Sequence, residues 1–364
     1  MAKGLLLNGL ADGGCRRLWQ ACMAFPLLLL LAVAQGVEPP TDLSAMEARL
    51  SALRAALKVA KASEVPALRQ AILDLKAQIQ KSAKPEAPPA APPKPVAPAP
   101  GLGPVREWRF EKRHPLSARE VIGQRLGWNA KTFEQHDPSQ PPDLKDETFL
   151  GYVPENYDGS LAFGLLVWIN PIDTPWIDPT WLPVLKERKL IMVSALKSGN
   201  DHFVWRRMGL ALDAVAGVQS ILRIDPNRVY IGGFSGGGRS ASALGLHFAD
   251  VFRGGYYQGG VNYFEAVTAG TGEAERKHEP QMIAPKGAAA ALGRTRSRHV
   301  LFAGEHCFNY AHSKAVADRM GRPGQYQHVL FQTGEKLAHV PPPAELFDQA
   351  IAFLDQRSGP AKDP

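Results

Sequence analysis

Arg228-Val-Tyr-Ile-Gly-Gly-Phe-Ser-Gly-Gly-Gly-Arg239 is the stretch on which the reading of this chain turns. Val229-Tyr-Ile is β-branched and aromatic and reads as a short buried strand. Glycines then surround one serine, in Gly233-Phe234-Ser235-Gly236-Gly237. Ser240-Ala-Ser-Ala-Leu-Gly-Leu-His-Phe follows and reads as a buried helix. Strand, tight turn and helix around Gly-x-Ser-x-Gly form the setting that presents a serine hydroxyl as a nucleophile. Such a turn needs backbone angles that residues without a Cβ reach at least cost. The amide of Gly236, at the start of the helix, would face a developing oxyanion. A phosphate-binding loop is excluded: there is no Gly-x-x-x-x-Gly-Lys-[Ser/Thr], and Arg239 is the only basic residue following the serine closely.

Working outward, 149–154, Leu165-Leu-Val-Trp-Ile169 and Leu190-Ile-Met-Val193 read as strands. The second is a continuous apolar run, as in a strand covered on both faces. Residues 206–222 carry Leu210, Leu212, Val215, Val218, Ile221 and Leu222 at helical spacing. Asp225-Pro226 is expected to break the chain before the Val229 strand. Beyond the serine helix, strands are expected at 255–258, 299–302 and 327–331, with helices at 310–320 and 344–354. Residues 262–297 lack a clear period and are expected to form a loop-like excursion above the site. Alternating β and α units of this length predict an α/β fold, a mostly parallel sheet covered on both faces by helices.

The N-terminal part is of another kind. Residues 1–36 read as a signal peptide, with Arg16-Arg17 ahead of an apolar run ending in Ala32-Val33-Ala34. That run falls short of the roughly 20 residues that span a bilayer, so no stable membrane span is expected after cleavage. Residues 41–83 carry two apolar stripes, Leu43, Met46, Leu50, Leu53 and Leu57, then Leu68, Ile72, Leu75 and Ile79. They predict a helical hairpin or coiled-coil segment, through which a homo-oligomer could form. Residues 84–104 are a Pro/Ala-rich linker, and 105–358 make up the main domain. The expected location is secreted or periplasmic. Of the three cysteines, Cys15 and Cys22 fall in the export segment, leaving Cys307 alone in the mature chain with no internal disulfide. The net charge of +7 comes with no basic run interleaved with aromatics, so no nucleic-acid partner is expected.

A serine nucleophile needs a base. In the chain order serine, acid, histidine, His339 follows the last expected strand, in a loop at the edge where catalytic groups gather in parallel sheets. His299 and His328 stand at strand starts on the opposite edge and are expected at the surface. His306 and His312 near Cys307 are a weak metal pattern; no metal and no cofactor are expected.

From about 147 to 354 the chain resembles the α/β-hydrolase superfamily, and within it secreted esterases of the polyhydroxybutyrate-depolymerase and feruloyl-esterase type. Three stretches carry the resemblance: Asp225-Pro-Asn-Arg-Val-Tyr-Ile-Gly-Gly-Phe-Ser-Gly-Gly-Gly238, Tyr152-Val-Pro-Glu-Asn-Tyr157 and Ala338-His-Val-Pro-Pro342. It implies an ester substrate, small or polymeric, with Ser235 and His339 as catalytic pair. Two positions depart from the pattern. The loop that usually reads His-Gly and supplies a second oxyanion amide is Asn170-Pro171; proline has no N–H, which leaves Ile172. The loop that usually reads Gly-x-x-Asp-Phe-Asn is Gly304-Glu305-His306-Cys307-Phe308-Asn309, so Cys307 stands where the acid is expected. Glu305, in the same loop, and Glu265, after the 255–258 strand, are the carboxylates that could serve instead. The resemblance leaves a serine esterase as the first reading, a catalytically weak or inactive hydrolase fold that binds a cell-envelope or extracellular polymer as the second, and peptidase activity, which the same fold hosts, as a lesser third.

Overall fold

The computed structural model describes residues 105–135 and 143–356, and scattered positions between 45 and 78. The expected signal peptide, the Pro/Ala-rich linker, and Leu43, Leu57 and Ile79 lie outside the described residues. The chain divides into two compact units, Met1–Val96 and Ala97–Pro364. Within the first, Met46 and Leu53 of one stripe share a buried cluster with Leu68, Ile72 and Leu75 of the other. The two stripes therefore bury each other, as amphipathic helices of this length must to hold their form. Among the described residues no helix is long and apolar enough to cross a membrane.

The second unit is built on eight strands: β1 (Val105–Trp108), β2 (Phe149–Tyr152), β3 (Phe163–Ile169), β4 (Leu190–Ala195), β5 (Ile224–Phe234), β6 (Gly254–Gln258), and two more at Arg298–Gly304 and His328–Gly334. A separate antiparallel pair, β7 (Val267–Ala269) and β8 (Arg276–His278), lies in the excursion between them, so the last two sheet strands are β9 and β10. The sheet order is β1-β2-β4-β3-β5-β6-β9-β10. β1 pairs antiparallel with β2 and β2 with β4; every other neighbour is parallel. The helices are α1 (Arg119–Leu126), α2 (Ala130–Gln135), α3 (Leu182–Glu187), α4 (Val204–Ile221), α5 (Gly236–His247), α6 (Gly287–Thr295), α7 (Tyr310–Met320) and α8 (Ala344–Asp355). The excursion expected to be loop-like thus contains the β7–β8 hairpin and α6. The alanines of α6 carry helix propensity without an apolar stripe strong enough to announce it.

Both faces of the sheet are covered. On β3, Leu165, Val167 and Ile169 belong to one core cluster with Ile122, Met208 and Leu244 of the helices on that side. Leu166 and Trp168 belong to the other, with Trp181, Leu185, Phe347 and Ile351. This two-sided burial is why β3 reads as an unbroken apolar run. Trp181 stacks on Phe347 with ring centroids 4.3 Å apart. Each such fully buried side chain contributes about 1.5–3 kcal/mol.

Asp225-Pro226 does not end a segment before β5. The strand begins at Ile224, and its register against β3 shifts after Phe163, so that Leu165 pairs with Val229. Pro226 and Asn227 are exposed on the irregularity, and the Asn227 N–H donates to Asp225 Oδ1 at 2.9 Å. A proline is tolerated where the ladder is already interrupted.

The chain passes from β3 out to β4 and back across β3 to β5, which makes the carboxyl ends of β3 and β5 a switch point of the winding. Open α/β sheets bind ligands outside such points. The loops after β3, β5, β9 and β10 all open on this edge.

Candidate active site

Ser235 joins β5 to α5 with φ 56° and ψ −119°. Among the described residues it is one of four non-glycine positions with positive φ, a conformation that costs of order 1–3 kcal/mol and persists only where surroundings impose it. Here the closeness of strand and helix imposes it. A Cβ on Gly237 would stand 1.9 Å from the carbonyl oxygen of Ile169, and one on Gly236 would stand 2.0 Å from Oδ1 of Asn200. Those two glycines let α5 start hard against the end of β3 and the loop after β4.

His339, in the loop after β10, places Nε2 2.9 Å from Ser235 Oγ. Its ring lies between Phe234 and Phe308, at centroid distances of 4.8 and 4.3 Å. On its other side, Nδ1 is 3.1 Å from Sγ of Cys307. For Nε2 to accept the serine proton, Nδ1 must hold the other ring proton, so Nδ1–H donates to sulfur. Cys307 sits in the loop after β9, buried and reduced. Its sulfur also accepts from the Asn309 N–H at 3.4 Å. Burial pushes the thiol above its ordinary value, against the smaller pull of the Asn309 and Tyr310 amides, so it is neutral near pH 7. The pKa of His339 is lowered, first by burial and then by the nearby positive charge of Arg239.

The two carboxylates named as alternatives do not reach His339. Glu305 accepts from the backbone N–H of Lys336 at 3.1 Å through Oε2. Glu265 is held by the Arg319 guanidinium and by Nε2 of Gln325. Each is drawn off by a donor on its own side of the loops, leaving sulfur as the group on Nδ1. The expectation of surface positions also fails for His299: it is fully buried in β9, its Nδ1 2.8 Å from the Tyr257 hydroxyl. The strand begins one residue earlier than the sequence indicates, which carries His299 inside the sheet. His328 is half-buried as the first residue of β10. His312 is buried and its ring lies on His278, at a centroid distance of 4.2 Å. Among the described residues no group of three or more His, Cys, Asp or Glu side chains is placed to hold a metal ion.

The oxyanion side is framed by the start of α5 and the loop after β3. Ile172 lies there with its side chain exposed. The segment 170–173 is tied to 197–200 by the Asn200 N–H donating to the Pro171 carbonyl at 2.9 Å and the Lys197 N–H to that of Asp173 at 2.7 Å. Two arginines to which the sequence reading gave no role complete the surroundings. Arg207, on α4, is 4% exposed. Its Nη2 donates to the Asn170 carbonyl at 3.0 Å, Nη1 to that of Gly236 at 3.2 Å and Nε to that of Ser198 at 2.7 Å. Burial lowers its pKa to about 10, which leaves it charged at neutral pH. Arg239, one turn beyond Ser235 on α5, donates from Nη1 to the Val261 carbonyl at 3.2 Å and to Asn262 Oδ1 at 3.3 Å. Its Nη2 donates to Asn309 Oδ1 at 3.3 Å. The signal that could have found Arg207 is its place among the apolar residues of α4, where an arginine needs acceptors.

A hydroxyl on a strained turn, an imidazole within hydrogen-bond distance, and amides at a helix start can together carry out acyl transfer. No family model and no curated protein sequence matches the chain. Solved structures of low identity do. Est1E from Butyrivibrio proteoclasticus is 16% identical with a TM-score of 0.38, over 56% of this chain and 92% of that one. The feruloyl esterase module from Clostridium thermocellum is 13% identical with a TM-score of 0.42, over 58% and 84%. LpqC, a poly(3-hydroxybutyrate) depolymerase from Bordetella parapertussis, is 16% identical with a TM-score of 0.41, over 57% and 83%. On its own strand order, its strained serine between β5 and α5, and its helices on both faces, the chain has the α/β-hydrolase fold.

Proposed function

We propose that this chain is an exported serine hydrolase of carboxylic esters, small or polymeric. The observation that carries the reading is the 2.9 Å contact between His339 Nε2 and Ser235 Oγ on the strained turn. Ser235 Oγ attacks the ester carbonyl as His339 takes its proton, and the Gly236 amide receives the oxyanion. His339 then returns the proton to the leaving alcohol, and water, activated by the same imidazole, releases the acid. Cys307 holds the Nδ1–H tautomer. Exposed apolar side chains of Phe308, Val340 and Ile172 stand on the loops that frame the site, a setting for the hydrocarbon part of an ester. Export rests on residues 1–36, and a secreted or periplasmic location goes with it. Pairing of N-terminal helices between copies would give a homo-oligomer.

The test is to treat the purified full chain with a fluorophosphonate and locate the adduct by mass spectrometry. Labelling at Ser235, abolished in Ser235→Ala, is expected; an adduct at another serine with Ser235 free sinks the assignment. A second reading, a weak or inactive hydrolase fold that binds an extracellular polymer, is favoured by one observation: the partner of His339 Nδ1 is a neutral thiol and not a carboxylate. Labelling at Ser235 without measurable turnover of activated esters would decide for it.

A further inference from the structure

The charge around Ser235 is one-sided. His339 has no carboxylate on Nδ1, so an imidazolium formed there has no counter-charge from the protein. Arg239 is a half-buried guanidinium whose partners are all neutral: the Val261 carbonyl and the side-chain amides of Asn262 and Asn309. Among the described residues no carboxylate pairs with it, and its Nε–H and second Nη2–H have no protein acceptor. Three carboxylates of the neighbouring loops are engaged elsewhere. Asp173 accepts from the Gly199 N–H and lies 3.0 Å from His202 Nε2; Glu305 and Glu265 are held as described above.

A partly desolvated cation without a counter-ion is unfavourable unless a ligand completes it. Its position is specific. Arg239 follows Ser235 by one helical turn, on the same face of α5. A Cβ on Gly260 would lie 2.5 Å from the Ser235 carbonyl oxygen and 3.4 Å from Cγ of Arg239. One on Gly259 would lie 3.0 Å from Cε1 of His339. The Ser235 backbone, the stem of Arg239 and the His339 ring thus all pack on the Gly259-Gly260 segment, and Asn309, which accepts from Arg239 Nη2, donates from Nδ2 to the Gly259 carbonyl at 2.7 Å. With an aspartate at position 307 the site would carry an anion of its own; with a thiol it is a cationic site without one.

We propose that Arg239 is an anion-binding subsite and that the esters taken by this site carry a carboxylate or comparable anion near the scissile bond. This rests on the serine-hydrolase reading above. The bound anion forms charge-assisted hydrogen bonds with the free Nε–H and Nη2–H. It also offsets the Arg239 charge that opposes protonation of His339, so the substrate supplies part of the counter-charge that Cys307 does not.

The test compares p-nitrophenyl half-esters of five- to eight-carbon dicarboxylic acids with neutral acyl esters of matched chain length, on the purified full chain. The expected result is that the best half-ester exceeds its neutral counterpart in kcat/KM by about tenfold or more. The ratio collapses towards one in Arg239→Gln, is partly kept in Arg239→Lys, and narrows in the wild type as salt is raised. Melting curves of both variants establish that they are folded. Neutral esters equal or better across the whole series, or a ratio unmoved by Arg239→Gln, overturns the proposal. Calorimetric binding of the corresponding methyl half-esters to Ser235→Ala, and to Ser235→Ala combined with Arg239→Gln, separates this site from the chemistry. Binding lost only in the double variant upholds the anion site even if the wild type turns over no ester, in which case the hydrolase reading alone fails. Absence of binding to Ser235→Ala overturns the anion site whatever the turnover.

Discussion

Sγ of Cys307 lies 3.1 Å from Nδ1 of His339, on the side of the imidazole away from Ser235 Oγ. On the proposed serine-hydrolase reading, a thiol there would do half of the acid's work. It accepts the Nδ1–H and so keeps Nε2 free to take the serine proton, but it brings no charge to set against an imidazolium.

That division sets the effect of Cys307→Asp. Removing the acid of a serine-protease triad lowers kcat by about 10⁴, largely because the wrong tautomer results. Here the tautomer is already fixed, so the gain from restoring a carboxylate is smaller, about 10- to 100-fold in kcat on a neutral p-nitrophenyl ester. Glu305→Gln and Glu265→Gln are expected to change kcat by less than about threefold, since neither side chain touches His339. Loss of most activity in either glutamine variant would show that a carboxylate swings onto His339 during turnover.

Arg207 is buried, and its three acceptors are the carbonyls of Asn170, Ser198 and Gly236. Holding the Asn170 and Gly236 carbonyls fixes the peptide planes that frame the oxyanion side. Arg207→Lys cannot reach all three in a fork and is expected to lower kcat about 10- to 100-fold with KM changed little, because one misplaced oxyanion donor costs about 10²–10³. A boronic acid that mimics the tetrahedral state should lose affinity in parallel. A rise in KM with kcat intact would make Arg207 a purely structural residue.

The acid limb of kcat/KM follows the neutral form of His339. Burial and then Arg239 lower its pKa from the ordinary 6.5, so the unprotonated base persists as pH falls, and the limb should lie below 6.5. Cys307→Asp favours the imidazolium and should move the limb up; Arg239→Gln, by removing a like charge, should move it up as well. A wild-type limb above 6.5 in a pH–rate profile would contradict the assignment of His339 as the base.

Acid stability turns on other histidines. Burial pushes His299 down to about 3 and His312 down to about 4 from an ordinary 6.5. The unfolded chain therefore binds more protons than the folded one between these values. The stability these groups lend is fully present above pH 6.5 and is lost as pH falls. From pH 6.5 to 5 each histidine costs up to about 2 kcal/mol, a combined fall in Tm of about 10 °C. His299→Gln should flatten that slope in thermal melts, while lowering Tm at neutral pH through the lost contact with Tyr257. An unchanged slope would place the acid sensitivity elsewhere.

What the sequence determined by itself is what depends on local pattern. Leu165-Leu-Val-Trp-Ile169 reads as a strand covered on both faces, because a short unbroken run of apolar residues matches a central strand of a parallel sheet, and both core clusters take their share of it. The glycines around Ser235 read as a tight turn between strand and helix, because the backbone angles of such a turn cost least without a Cβ. His339 could be placed by its order after the last strand. Tertiary structure alone decided the partners. Whether Cys307, Glu305 or Glu265 met His339 depended on which loop tips converge after β6, β9 and β10, and on Lys336, Arg319 and Gln325 drawing the glutamates away. The burial of His299 and the reach of Arg207 to three loop carbonyls were likewise invisible, since both depend on distances between segments remote in sequence. Periodicity records which face of an element is buried; it does not record which donor on a distant loop will satisfy which acceptor.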